Sequence, residues 1–219
     1  MKITDPSWDP YVPENIAVSQ FTPNSEVVLS DYVDIVSDAN KPFSMTIYSF
    51  KKIEKTDAFG DKTMVKVPIW DSKDHDLYLD KLLMVWGANL MTQKKPNFSG
   101  VFGLGERVDD EFFLRDGTFS FWNRGESNII EDGSLPGKNN YGTHPYFAYR
   151  TQTDTFVSNF FNNAAANDIL IENNPDSGEV KFDYISIGGC FDLFIEEELA
   201  VDPLIKRYHH IVGTPLLVP

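Results

Sequence analysis

The stretch YFAYRTQTDTFVSNFFNNAAANDILIENNPDSGEVKFDYISIGGCFDLFI, residues 146–195, decides the fold. It holds segments rich in β-branched and aromatic residues: Tyr146–Thr151, Thr155–Phe161, Asp168–Ile171, Val180–Ile187 and Phe191–Ile195. Turn formers punctuate them, Asn162-Asn163 in one place and Asn173-Asn174-Pro175-Asp176-Ser177-Gly178 in another. Asparagine and glycine accept left-handed backbone and proline cannot continue a ladder, so such clusters end strands. Short strands at this spacing predict an all-β sandwich.

Working outward, the same pattern continues. Val27–Val36 is β-rich, and in Phe43–Phe50 the residues Phe43, Met45 and Ile47 alternate onto one face. Lys55–Lys62, around Phe59-Gly60-Asp61, reads as a turn. Met64–Trp70 reads as a strand broken at Pro68, which favours an edge or a bulge. Leu77–Trp86 is strongly apolar and fits a strand or a short helix, and Thr118–Trp122 reads as a strand after the turn Asp116-Gly117. One segment has a different period. Asp202 suits an N-cap, Pro203 suits the first turn, and Leu204, Ile205, Tyr208, Ile211 and Val212 share a helical face that Gly213 ends. Residues 1–25, with Pro6, Pro10, Pro13 and Pro23, read as an extended N-terminal segment. The expected division is therefore 1–25, a β-sandwich over 26–200, and a helix with a linker over 201–219.

Composition narrows the function. The chain has 219 residues, of which 42% are hydrophobic and 14% aromatic, enough to bury a core. Its formal charge of −14 excludes the cationic surface that nucleic acid or an anionic membrane requires. Neutral ligands such as sugars remain compatible. The single cysteine, Cys190, permits no internal disulfide and makes a thiolate zinc site an unattractive reading. No metal or cofactor is expected. No apolar run reaches the ~18 residues of a membrane span, so no membrane insertion is expected, and residues 1–25 hold no apolar signal core. Asn97-Phe98-Ser99 is a lone glycosylation sequon.

Several motifs carry candidate chemistry. Gly103-Leu104-Gly105-Glu106-Arg107 lacks nucleotide-fingerprint spacing and reads as a glycine-relieved bend with a neighbouring Glu106–Arg107 pair. In Tyr141-Gly142-Thr143-His144-Pro145, His144 has no second histidine at ligand spacing and reads as a structural residue of a loop. His209 and His210 are adjacent and point to different helix faces. Glu196-Glu197-Glu198 reads as a solvated turn before the helix. The polar segment Asn123–Asn140, with Asn123, Arg124, Gly125 and Glu126 at its start, is the candidate binding loop. Long polar loops on rigid sheets carry binding groups, and amides and charges are what sugar hydroxyls pair with.

Taken in order, these motifs resemble a known family. Phe98–Arg107 is followed by Asp116-Gly117-Thr118, Trp122-Asn123-Arg124, Pro136–Pro145, Asn163–Asp168, Ile187-Gly188-Gly189 and Tyr208–Pro215. This order resembles the N-terminal domain of family 31 α-glucosidases over about residues 20–219. The resemblance implies a β-sandwich of the galactose-mutarotase-like type with a short C-terminal helix, packed on a (β/α)₈ barrel that supplies both catalytic aspartates. It therefore implies no catalytic residue in this chain, a catalytic barrel domain or chain as partner, and carbohydrate as ligand. It also implies a secretory, lysosomal or extracellular setting. In the family, an aromatic–small–Arg–Asp pattern places an aspartate on sugar hydroxyls. Here the matching run is Trp122-Asn123-Arg124-Gly125, with glycine in place of the aspartate and Glu126 next to it.

Two functions follow as expectations. In the first, the chain is the accessory sandwich of an α-glucosidase-like hydrolase, bracing a barrel and lending a loop to its sugar pocket. In the second, the sandwich is a non-catalytic scaffold or interaction protein. A third and weaker expectation, a free-standing mutarotase, would rest on His144 and Glu106.

Overall fold

Alternating burial builds the architecture. In the computed structural model, Val180, Phe182 and Tyr184 are at most 1% exposed, and the residues between them lie at an outer surface. The structure describes residues 2–3, 32–36, 44–75, 77–80, 83–93, 100–107, 111–122, 142–174 and 176–215. Their elements are β1 (Lys2–Ile3), β2 (Val33–Val36), β3 (Ser44–Tyr48), β4 (Ile53–Thr56), β5 (Lys62–Val65), β6 (Pro68–Asp71), β7 (Tyr78–Asp80), β8 (Leu83–Met91), β9 (Val101–Gly103), β10 (Gly117–Phe121), β11 (Tyr146–Arg150), β12 (Phe156–Phe161), β13 (Asn167–Asn174), β14 (Glu179–Ser186), β15 (Phe191–Glu198) and the helix α1 (Val201–Val212).

The strands form two principal antiparallel sheets. One runs β10-β13-β14-β8-β6-β3-β2, with β7 also paired to β8; the other runs β1-β15-β12-β11-β9. β4 and β5 form a separate hairpin. Aromatic rings join the sheets face to face. Phe161 of β12 stacks on Tyr184 of β14 at 4.1 Å, Phe191 of β15 meets Trp86 of β8 at 4.5 Å, and Phe147 of β11 meets Phe182 at 5.6 Å. Trp70 and Trp86, both 0% exposed, pack at 4.9 Å. Each such ring contributes about 3 kcal/mol through burial alone, which makes this layer the main store of stability. The sandwich expected from residues 146–195 is the observed fold.

The differences are local. Met64–Trp70 is two strands, because Pro68 opens β6 instead of interrupting one. Proline is tolerated at a first strand position, and the register shifts opposite it, between Ile47 and Tyr48. Leu77–Trp86 divides into β7 and the start of β8, which pair from Tyr78↔Val85 to Asp80↔Leu83. α1 begins at Val201, so Ala200 is its cap and offers no side-chain bond. Asp202 lies in the first turn, where its charge meets the positive end of the helix dipole. Gly213, at φ 91°, ends the helix as expected. Of the apolar helical face, Leu204 is fully buried, whereas Ile205 and Val212 are 37% and 48% exposed. Lys2 and Ile3 pair with Asp192 and Phe191, adding an edge strand to the five-stranded sheet.

The largest correction concerns Glu196-Glu197-Glu198. These residues are not a solvated turn; they continue β15 against Ser158, Val157 and Phe156 of β12. The ladder carries them on because Glu197 finds partners. Its carboxylate accepts from Ser49 Oγ at 2.6 Å, Thr155 Oγ1 at 2.5 Å and the Phe50 N–H at 2.8 Å. Thr151 and Thr153 extend this hydroxyl cluster, and Glu198 pairs with Arg207 of α1 at 2.6 Å.

Candidate functional site

At the opposite end of β12 lies a cleft of about 610 Å³. Trp122 enters it from the end of β10, Thr143 from the approach to β11, Phe160 from β12, Asn163 and Asn167 from the β12–β13 connection, and Tyr208 from α1. The connection keeps its shape because Asn163 is bonded on both sides. Its Nδ2 donates to Ser186 Oγ at 3.0 Å and to the Gly188 carbonyl at 2.8 Å, and its Oδ1 accepts the Ala165 N–H at 3.0 Å. Gly189 must be glycine for this, since a Cβ there would stand 1.9 Å from Asn163 Oδ1, at a φ of 86°.

Asn167 is 4% exposed and donates Nδ2 to the Ala165 carbonyl at 2.9 Å. Its Oδ1 has no hydrogen-bond partner among the described residues. Tyr208 is wedged between Tyr146 at 4.6 Å and Phe160 at 5.0 Å, and burial raises its phenol pKa. Tyr184, behind the connection, is pushed up to about 12 by burial. The described lining holds amides, a hydroxyl and ring faces, with no carboxylate, histidine or cysteine. Retaining glycoside hydrolysis needs two carboxyl groups about 5–5.5 Å apart, which the described lining does not supply.

The sequence candidates Asn123, Arg124, Gly125 and Glu126 lie outside the described residues. The residues that flank their segment are described. Trp122, immediately before it, and Thr143, just after it, both line the cleft. The return is pinned to the glycine bend. The Glu106 carboxylate accepts the Gly142 N–H at 3.0 Å, the Glu106 N–H donates to the Gly142 carbonyl at 3.1 Å, and the His144 N–H donates to the Gly105 carbonyl at 2.7 Å. The bend reading of Gly103–Arg107 therefore holds. Gly103, at φ 122°, leaves no room for a side chain, since a Cβ there would stand 2.6 Å from the Tyr146 carbonyl. Glu106 turns to Gly142 while the Arg107 guanidinium lies over the Phe119 ring at 4.8 Å. Asn163 and Asn167 line the cleft, whereas the sequence reading took Asn163 as a turn former and named Asn167 only within the motif Asn163–Asp168; the run of asparagines flanking three alanines was the available signal.

Comparison with known proteins agrees with this geometry. A probable alpha/beta-glucosidase of Neosartorya fischeri is 30% identical over 141 residues, 60% of this chain and 15% of that protein. Lysosomal acid alpha-glucosidase of Tetrahymena pyriformis is 26% identical over 115 residues, 52% of this chain and 12% of that protein. Over just over half its length the chain is similar to α-glucosidases, as the family 31 resemblance expects. It spans only a small part of these relatives' length. No family model matches it. Among solved structures, a glucosidase II alpha subunit superposes with a TM-score of 0.55 at 12% identity, over 81% of this chain and 24% of that one. A chain of the ER glucosidase II heterodimeric complex gives 0.55 at 12% identity, over 83% of this chain and 24% of that one. At such identity the likeness shows the fold: this is a β-sandwich of the kind found in family 31 enzymes.

Proposed function

We propose that this chain is the accessory sandwich of an α-glucosidase-like glycoside hydrolase, non-catalytic by itself, which braces a (β/α)₈ barrel and lends residues to its sugar pocket. The observation that carries the reading is the convergence on one cleft of Trp122 and Thr143, which lie either side of the Asn123–Asn140 loop, and of Tyr208 and Val212 from the C-terminal part of α1. That end of the sandwich combines ring faces and amides, suited to a neutral polyhydroxylated ligand, with the part-exposed Val212 next to the helix stop. Asn123, Arg124 and Glu126 are the groups nominated to meet sugar hydroxyls, with Gly125 standing where the family resemblance expects an aspartate.

The test is the native mass of the endogenous protein and the identity of what purifies with it. A polypeptide continuing into a barrel, or a tightly held barrel-containing partner, is the expected result, together with α-glucoside hydrolysis by the assembled species. A 24.9 kDa species with no such partner, and no hydrolysis on addition of a barrel chain, would count against it. Gly125 favours a second reading, in which the sandwich serves as a scaffold without sugar binding. Calorimetry showing no binding of α-glucosides, with stable association to a non-enzyme, would select it.

A further inference from the structure

The outer face of the larger sheet holds a buried histidine that the cleft does not use. Trp86, Ala88 and Leu90 of β8 point into the core, so Gly87 and Asn89 point outward, opposite Asp183 and Lys181 of β14. His75, 7% exposed, comes from the turn between β6 and β7 and lies over Gly87. Its Nδ1 is 3.2 Å from Asp183 Oδ1 and its Nε2 is 3.0 Å from Asn89 Oδ1. The notch exists because residue 87 has no side chain: a Cβ there would stand 2.4 Å from His75 Nδ1 and 2.7 Å from the Phe182 carbonyl. The other end of the turn is tied to the sheet as well. The His75 N–H donates to the Ser72 carbonyl at 3.0 Å, and Ser72 Oγ accepts the Met45 N–H at 2.8 Å. Both ring nitrogens thus face oxygen acceptors. A neutral imidazole has one N–H and satisfies one of them, whereas an imidazolium donates to both.

We propose that residues 72–75 form an acid-favoured latch, in which the imidazolium of His75 ties the β6–β7 turn to β8 and β14, and loss of the ring proton releases the tie. Among the described residues, the charged groups around it are Asp183 and Lys181 of β14, Glu172 of β13, Asp71 at the end of β6, and Lys73 and Asp74 of its own turn. Lys181 lies 3.0 Å from Asp183 Oδ2 and 3.6 Å from Glu172, and Lys73 lies 3.9 Å from Asp71. Burial disfavours the charged ring and Lys181 adds to that, but the hydrogen bonds to Asp183 and Asn89 outweigh both and raise His75 above its ordinary 6.5. In return the His75 hydrogen bond, helped by Lys181 and opposed by burial, holds Asp183 below its ordinary 3.8.

The signs define a window. A raised histidine stabilises fully below 6.5, and that contribution is lost as pH rises through its folded-state value. A lowered aspartate stabilises fully above 3.8, and that contribution is lost as pH falls through its own folded-state value. The latch is therefore complete in mildly acid solution.

The deciding experiment is an NMR titration of the histidine rings in the full chain, paired with thermal unfolding from pH 4 to 9. The His75 ring should titrate above 6.5, and the melting temperature should fall as pH rises through that titration. His75→Gln should flatten the fall, and Asp183→Asn should move the ring titration downward. A His75 ring that titrates at or below 6.5, or an unchanged pH slope in His75→Gln, would overturn the latch. If His75→Gln does not fold, the titration of the unsubstituted chain decides alone.

Discussion

β12 connects two ends of the sandwich that are built on opposite plans. At its Phe156 end, Glu197 and the hydroxyls of Ser49, Thr151, Thr153 and Thr155 bond to one another, and the carboxylate joins the end of one sheet to the chain leaving the other. At its Phe161 end, Asn163 bonds just enough to hold a turn open, Asn167 keeps an unused acceptor, and Trp122 is half exposed. Buried polar networks that are fully satisfied rigidify a fold, and partly satisfied ones cost stability unless a ligand or partner completes them. The difference teaches where each property resides: the closed end holds the sheets in register, and the open end is the one to which the proposed function assigns recognition.

The largest effect is expected from breaking the closed end. Glu197→Ala leaves Ser49, Thr155 and the Phe50 N–H without their common acceptor. Orphaned donors cost about 1–3 kcal/mol each, so a loss on the order of 3 kcal/mol is expected. Urea denaturation reads it directly, and Glu197→Gln, which keeps one acceptor oxygen, should lose less. A loss under about 1 kcal/mol would mean that water replaces the carboxylate readily and that the two ends differ less than their hydrogen bonds indicate.

The open end should respond more weakly to the same treatment. Asn163→Ala removes three hydrogen bonds around a part-exposed turn, with an expected cost of about 1–2 kcal/mol. Gly189→Ala attacks the same residue from the other side, by placing a methyl group on Asn163 Oδ1. Combined, the two substitutions should cost less than the sum of their separate effects, since the clash disappears with the amide. Strict additivity in that double-mutant cycle would show that Gly189 is held by its backbone angle alone.

How far the sequence revealed this contrast depends on the range of the interactions. The strands of residues 146–195 were legible because alternation is local, and Val180, Phe182 and Tyr184 state their face within five positions. The helix was legible from Pro203 and Gly213 for the same reason, although its first residue was not. Glu197 was not legible. Three successive glutamates look solvated, and the groups that hold one of them half-buried come from residues 49, 50 and 155. Asn163 announced a turn but not the bond to Ser186 that shapes the cleft. The proposed binding loop, Asn123–Asn140, was nominated both by its polar composition and by the Trp122-Asn123-Arg124 pattern of the family resemblance, and it lies outside the described residues.

Gly125 sharpens the comparison at the smallest cost in stability. If the open end is a sugar-binding end, Gly125→Asp restores the carboxylate that the family pattern places beside Arg124. A charged hydrogen bond to a ligand hydroxyl is worth about 1.5–3 kcal/mol, so α-glucoside affinity should rise at least tenfold by calorimetry. Arg124→Ala should move it the other way, and neither change should shift unfolding by more than about 0.5 kcal/mol. Tighter binding in Gly125→Asp would mean that this chain retains a sugar pocket with one contact removed. No binding in either form, with Asn163→Ala still destabilising, would separate the two roles of the open end: the cleft would be a structural feature, and its ligand a protein surface.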